Sequence, residues 1–273
     1  MALIDGPLGR SSEYPDSYDP ALLFPVPRDH NRRRIGLDDG RWPWFGEDLW
    51  QGWEISWLRP DGVPAVAWAE ILVPAASPAI VESKSMKLYL NSLNQVMFSS
   101  AERVGEVIAR DLSSVSGAVV AVELHSVDED VRLAGRPEGF VLIDDEPLEG
   151  VTYEYQPDAL AIASPGPVTE RLCSHLLKSN CPVTGQPDWA TLLVSYTGPA
   201  IDRAALLRYI VGFRQTRDFH EHCVETIFTD LMARCQPEHL TVCARYTRRG
   251  GLDINPLRST APDGGFGPRL IRQ

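Results

Sequence analysis

Apolar positions change their period several times along the chain. WEISWL (53–58) and PAVAWAEILVP (64–74) flank the polar turn RPDGV and predict a hairpin. Met86, Tyr89, Leu90, Leu93 and Met97 then recur at helical spacing, as do Val104, Val107, Ile108 and Leu112. AVVAVELHSV (118–127) returns to a strand-like run, and the acidic stretch from about 128 to 168 holds only the short apolar pieces FVLI and VTYEY. It reads as a linker with local strands. The second half repeats the order. A short apolar segment around Leu172–Leu177 leads through a turn into WATLLVSY (189–196). Asp202 can cap a helix bearing Leu206, Leu207, Ile210 and Val211. A second helix carries Phe219, Cys223, Ile227, Leu231 and Cys235 in four-residue steps. LTVCARYTRRGGLDINP closes the pattern as two strands joined at Gly250-Gly251.

Strand–strand–helix–helix–strand therefore occurs twice, without evident residue-level repetition. The expectation is an α+β chain of two similar modules in tandem. An irregular, Pro- and Arg-rich arm spans 1–45, one module spans 46–145 and the other 146–273.

Composition narrows the function classes. Hydrophobic residues at 44% and charged residues at 23% are globular values, and the net charge of −11 argues against broad phosphate-backbone binding. No nucleic-acid partner is expected. No apolar run reaches the ~18 residues that cross a bilayer. The first twenty residues lack a basic patch followed by an apolar stretch, so no export leader and no membrane partner are expected. Five cysteines (173, 181, 223, 235 and 243) are an odd number without a C-x-x-C pair, which fits reduced thiols in the cytoplasm. His220, His222 and Cys223 crowd one helix too closely to converge on an ion, so no metal is expected. No dinucleotide fingerprint, P-loop, serine elbow or HExxH occurs.

Four stretches carry candidate chemistry, each with a plainer alternative. In KSNCPVTGQPDWA, Cys181 in a turn and Asp188 at the rim of the next strand suit a nucleophile with its proton donor. The plainer alternative is a buried cysteine and a turn-forming aspartate. In VESKSMKLYLNS, Ser83, Ser85, Lys84 and Lys87 at a helix start suit a phosphate, or an ordinary serine cap with solvated lysines. In DFHEHC, Glu221 and His220 suit a purine-type ring edge, or Asp218 and Glu221 form a capping box. In ARYTRRGGLDINP, arginines beside a glycine pair suit close phosphate approach, or a charged strand end before a turn.

Together, ESKSMKLYLNS, SHLLKSNCPVTGQPDWA, FRQTRDFHEHCVE and ARYTRRGGLDINPLRS resemble one family in order and over nearly the whole chain. It is the NADPH-dependent 7-cyano-7-deazaguanine reductase family of queuosine biosynthesis, nitrile reductases, in its long two-module form. The resemblance implies two tandem tunnelling-fold (T-fold) modules, each an antiparallel sheet with paired helices, and a homodimer. It implies that Cys181 attacks the nitrile carbon of 7-cyano-7-deazaguanine to form a covalent thioimide, with Asp188 as proton donor. It further implies that Val81, Glu82, Ser83, His220 and Glu221 line the heterocycle site. Ser83, Lys84, Arg249 and Gly250 would contact NADPH. Two other readings stay open: a zinc-dependent cyclohydrolase of the same fold, and a purine-binding scaffold without chemistry.

Overall fold

A computed structural model describes residues 15, 17–37 and 40–273. The first fourteen residues of the expected arm lie outside the described residues. The remainder of the arm contains regular structure. A 3-10 turn at Pro20–Leu22 starts from Asp19, whose carboxylate accepts from Ala21 N at 2.9 Å. Strand β1 (Pro25–Pro27) and helix α1 (Asp29–Arg34) come next. Strand β2 (Phe45–Leu58) begins eight residues ahead of the WEISWL run.

The chain forms two compact units, neither continuous in sequence. The first takes residues up to His30, Glu47–Val131 and Arg248–Ile254; the second takes Asn31–Gly46, Arg132–Thr247 and Asn255–Gln273. The architecture is mixed α+β, with mainly antiparallel sheets and few helices. Residues 248–254 thus group with the first unit although they come after the second unit's strands in sequence.

In the first unit, β2 pairs antiparallel with β3 (Pro64–Pro74), and β3 with β5 (Ala121–His125), while β1 pairs with β4 (Ala79–Val81). Helices α2 (Ser83–Ser92) and α3 (Ala101–Ser116) add Met86, Tyr89, Leu90, Val104, Ile108 and Leu112 to a core with Ile55, Ile71 and Val73 from β2 and β3. Burying such side chains contributes roughly 1.5–3 kcal/mol each before entropy is counted. Met97 departs from its predicted place on the helical stripe. The helix ends at Ser92, and Met97 is 64% exposed beside Leu58. One buried ion pair ties the arm down: Arg28 Nη2 donates to Asp48 Oδ2 at 2.5 Å and its Nε to Ser77 Oγ at 3.1 Å.

In the second unit, the linker expected over 128–168 supplies short strands β6 (Leu133–Ala134) and β7 (Val141–Leu142), a 3-10 turn at Pro157–Ala159, and the start of β8. VTYEY forms no strand. Strand β8 (Ile162–Asn180) is far longer than the segment around Leu172–Leu177 and pairs with β9 (Pro187–Ile201). Its first half is exposed Ser, Pro, Gly and Thr in a two-stranded ribbon, where no buried face imposes apolar alternation. Helices α4 (Arg203–Gly212) and α5 (His220–Cys235) precede β10 (His239–Tyr246), β11 (Leu252–Ser259) and β12 (Arg269–Leu270). The sheet runs β11-β10-β9-β8-β7, and β12 pairs with β6.

Cys173, Leu193, Cys243 and Leu257 form an apolar row across four neighbouring strands. Burial pushes the thiols of Cys173 and Cys243 up to about 11, so both act as small core residues. Beneath α5, Glu225 holds two buried arginines: Arg32 Nη2 at 2.7 Å and Arg258 Nη2 at 2.9 Å both donate to its Oε1. The Arg32 guanidinium also lies over the Trp42 ring, 4.2 Å from its centroid.

Candidate functional site

The hairpin between β8 and β9 presents the cysteine. The strands pair to Asn180↔Pro187, leaving residues 181–186 as the loop. Cys181 N donates to Gln186 O at 2.8 Å and Gly185 N to Cys181 O at 3.0 Å, which closes the loop tightly. Gly185 takes φ +69°, a conformation L side chains rarely adopt. Thr184 N donates to the Cys181 sulfur at 3.5 Å, so the loop itself supplies a backbone donor to the thiol. Cys181 is 4% exposed. Ser179 and Asp188 are directly opposed across the ladder, hence on one face of the hairpin.

Asp188 is buried and faces the start of α5. His220 Nε2 stands 3.3 Å from Asp188 Oδ1, and the imidazole packs on the Tyr246 ring at 3.9 Å between centroids. Glu221, next in the first turn, is 1% exposed. No capping box forms here. The cap position is Phe219, without a side-chain bond. Asp218 Oδ1 instead accepts from Phe219 N at 2.8 Å and pairs with His222 Nδ1 at 2.9 Å.

Asn180 was not singled out by sequence, and it fastens the two parts together. Its backbone N donates to Thr216 O at 2.8 Å, and its carbonyl accepts from Asp218 N at 3.1 Å. Its side-chain amide donates to Arg214 O and Thr216 O at 3.1 and 3.0 Å while accepting from Lys178 Nζ at 2.6 Å. The cysteine loop and the start of α5 are thereby held in one frame. The only sequence signal was its place beside the cysteine.

In the first unit the helix start differs from the expected serine cap. Glu82 is the N-cap of α2: Oε1 accepts from Lys84 N at 2.7 Å and Oε2 from Ser85 N at 2.8 Å. A carboxylate therefore occupies the amides expected to hold a phosphate. Ser85 is buried, donating to Glu82 O at 2.6 Å and accepting from Phe24 N at 3.0 Å. Glu82 itself is 3% exposed, and its N donates to Phe24 O at 2.9 Å. Val81 before it is buried, and Ser83 and Lys84 after it are half-buried.

Arg249 and Gly250 approach the same helix. Arg249 and Leu252 bond to each other's backbone around Gly250 and Gly251, at φ +55° and +74°. A β-carbon on Gly250 would lie 3.2 Å from Lys87 Cε of α2, and one on Gly251 2.5 Å from Glu54 Cδ. The turn thus requires glycine for its conformation. The Arg248 guanidinium lies over the Trp53 ring, 5.3 Å from its centroid.

Two groupings result. Cys181, Asp188, His220 and Glu221 belong to the second unit, where Asp188 meets His220; Val81, Glu82, Ser83 and Lys84 share the first with Arg249 and Gly250. A buried thiol in the hairpin loop, and a buried carboxylate beside a half-buried imidazole, are the groups that nucleophilic attack with proton transfer needs. Among the described residues, no three His, Cys, Asp or Glu side chains gather to hold a metal. No helix among them is long and apolar enough to cross a membrane.

Residues 14–124 match the family model described as nitrile reductase, 7-cyano-7-deazaguanine-reductase N-term, and residues 187–263 match that of QueF-like protein. The chain is 51% identical over 270 residues to the NADPH-dependent 7-cyano-7-deazaguanine reductase of Chromohalobacter salexigens, covering 98% of this chain and 96% of that one. It is 50% identical over 261 residues to the enzyme of that name from Bordetella avium, covering 96% and 95%. The Azoarcus sp. enzyme of the same name is 54% identical over 259 residues, covering 94% and 91%.

Proposed function

The chain belongs to the 7-cyano-7-deazaguanine nitrile reductase family, and we propose that it reduces 7-cyano-7-deazaguanine to 7-aminomethyl-7-deazaguanine for queuosine biosynthesis. The observation that carries this reading is Cys181 in a closed hairpin loop, with Asp188 on the following strand paired to His220, in a chain half identical to named reductases over nearly its full length.

Cys181 Sγ attacks the nitrile carbon. A C–S bond forms, one C≡N π bond opens, and Asp188 delivers a proton to the nitrogen, giving a thioimide. Two NADPH molecules, bound in turn, would each supply one of the two hydrides that the four-electron reduction needs. After the first reduction the C–S bond breaks, Cys181 leaves as thiolate, and an imine remains; its reduction and protonation give the amine. An imine released to water hydrolyses, so burial of Cys181 and Asp188 serves retention as well as reactivity.

Glu82 and Glu221 are the carboxylates suited to ring N–H and amino groups, with Val81, Ser83 and His220 as further contacts. Ser83, Lys84, Arg249 and Gly250 fit NADPH: a turn lacking β-carbons lies against a helix bearing Lys84 and Lys87, which allows close approach of a phosphate. The two sequence modules, about 46–145 and 146–273, are read as tunnelling-fold modules with paired helices. The support is the shared order of sheet strands and helices. The assembly is read as a cytoplasmic homodimer.

The test combines protein and 7-cyano-7-deazaguanine, follows a new near-ultraviolet thioimide band, then adds NADPH and follows its oxidation. Cys181→Ala is expected to abolish both signals. If that variant still consumes NADPH at the native rate, covalent catalysis at Cys181 is wrong. Stoichiometric zinc in the purified protein would favour the cyclohydrolase reading instead.

A further inference from the structure

The backbone of Tyr246, whose ring packs on His220, is held by a residue far along the chain. Between β10 and β11 the ladder pairs Thr241, Val242 and Cys243 with Ser259, Arg258 and Leu257. Beyond it, Tyr246 keeps only its pairing with Ala190 of β9. Side chains take over on the other edge. Tyr246 N donates to Asn255 Oδ1 at 3.2 Å, and Tyr246 O accepts from Gln273 Nε2 at 3.3 Å.

The Gln273 amide uses its full bonding capacity at this point. Oε1 accepts from Arg245 Nε at 2.8 Å and from Leu270 N at 3.0 Å. Nε2 donates to Asn255 Oδ1 at 2.6 Å as well as to Tyr246 O. Two donors and two acceptors are all that a primary amide offers. One side chain thereby fixes both residues at the end of β10 and the strand beside them. Tyr246 is buried, and burial raises its phenol well above the usual tyrosine value, so the ring stays neutral against the imidazole.

We propose that Gln273 is a positioning residue for proton delivery by Asp188. It holds the Tyr246 backbone, the Tyr246 ring sets the plane of His220, and His220 Nε2 orients the Asp188 carboxyl. The proposal rests on the reductase reading above. It adds a residue that touches neither substrate nor reacting atoms yet sets the geometry of the acid. Proton transfer demands tight placement, and a displacement on the order of 1 Å can slow a step about a hundredfold.

The experiment compares native protein with Gln273→Ala and Gln273→Glu. Gln273→Glu keeps an acceptor for Arg245 and Leu270 but removes the donor to Tyr246 O. For each, the rate and final amplitude of the thioimide band are measured with 7-cyano-7-deazaguanine, followed by kcat, KM and the pH profile of NADPH oxidation. The expected result is an unchanged final amplitude and a KM within about threefold, with band formation and kcat slowed about tenfold or more in both variants. The pH profile of kcat should also shift, because the surroundings of Asp188 change. Native band rates, kcat and pH profile in Gln273→Glu would overturn the proposal. So would a loss of band amplitude in proportion to kcat, since that marks general damage to the fold. If native protein forms no band at all, the reductase reading fails instead, and the two failures are distinguished.

Discussion

In the first unit, Glu82 caps α2, and Tyr89 of that helix donates to Asp111 of α3 at 2.7 Å, with Tyr18 from the arm donating to the same oxygen at 2.6 Å. In the second, Asp202 caps α4, Tyr209 donates to Asp230 of α5 at 2.5 Å, and Tyr155 donates to the same oxygen at 2.8 Å. Each unit also places a proline-led 3-10 turn directly after its outer tyrosine's segment. One carboxylate shared by two tyrosines therefore locks a helix pair twice. The corners that carry chemistry differ. The β2–β3 turn of the first unit is exposed and held by Arg59 and Asp61 at 2.7 Å, whereas the β8–β9 turn of the second buries Cys181. Ser100 caps α3 through Arg103 N, while α5 begins at Phe219 without a side-chain cap and offers His220 and Glu221. The comparison teaches that the paired helices supply stability while turns and helix starts are left to vary. Those are the places where backbone groups lack regular partners and side chains decide what they meet.

The largest expected contrast is at the second unit's turn. Asp188→Asn should lower kcat by about 10²–10⁴ with substrate affinity changed only severalfold. Asp61→Asn in the matching turn of the first unit should leave kcat within about twofold, because that pair is solvated. Equal losses in steady-state turnover would break the division of labour.

Next in size are the buried ion pairs. Glu225→Leu leaves Arg32 and Arg258 buried without their carboxylate and should cost about 3–5 kcal/mol in denaturant unfolding. Asp48→Leu, which strands Arg28 in the first unit, is expected to fall in the same range.

The tyrosine locks give a sharper comparison. Tyr89→Phe and Tyr209→Phe should each cost about 1–2 kcal/mol, and similarly, since each carboxylate keeps its second tyrosine. A difference above about 2 kcal/mol in paired melts would show that the two locks are not equivalent.

The caps should separate stability from function. Asp202→Ala and Glu82→Ala should each cost about 1 kcal/mol in unfolding. If Glu82 contacts the ring as proposed, only Glu82→Ala should raise KM for the nitrile, by about tenfold or more.

Smallest is the pH effect of buried thiols. Burial raises Cys173, Cys235 and Cys243 from 9.0 to about 11 in the folded chain. Each contributes stability that is complete below the unfolded value and fades as pH rises from 9.0 toward about 11. Denaturation midpoints across that window should fall, and less so in Cys243→Ala.

Much of the frame was readable from residue order. The hairpin around RPDGV, the stripe Cys223–Ile227–Leu231–Cys235, the Asp202 cap and the glycine turn are local, and each depends on neighbours within a few residues. Reading failed where two local answers competed. Ser83 looked like the cap of α2, but Glu82 reaches two amides at once. Asp218 and Glu221 looked like a capping box, but Asp218 pairs with His222 instead. The matched tyrosine–carboxylate locks escaped notice because so few residues correspond between the halves, and no local pattern marks a hydrogen bond between helices.

The sequence by itself determined the alternation of strands and helices, the loop that presents Cys181, and the short blocks that mark the family. These come from periodicity, turn chemistry and residue types close together in the chain. Tertiary structure alone decided that His220 meets Asp188, that Asn180 fastens the cysteine loop to α5, and that Gln273 braces Tyr246. Each of those contacts joins residues dozens of positions apart. Their energies appear only once burial has removed water and left polar groups to find partners in one another.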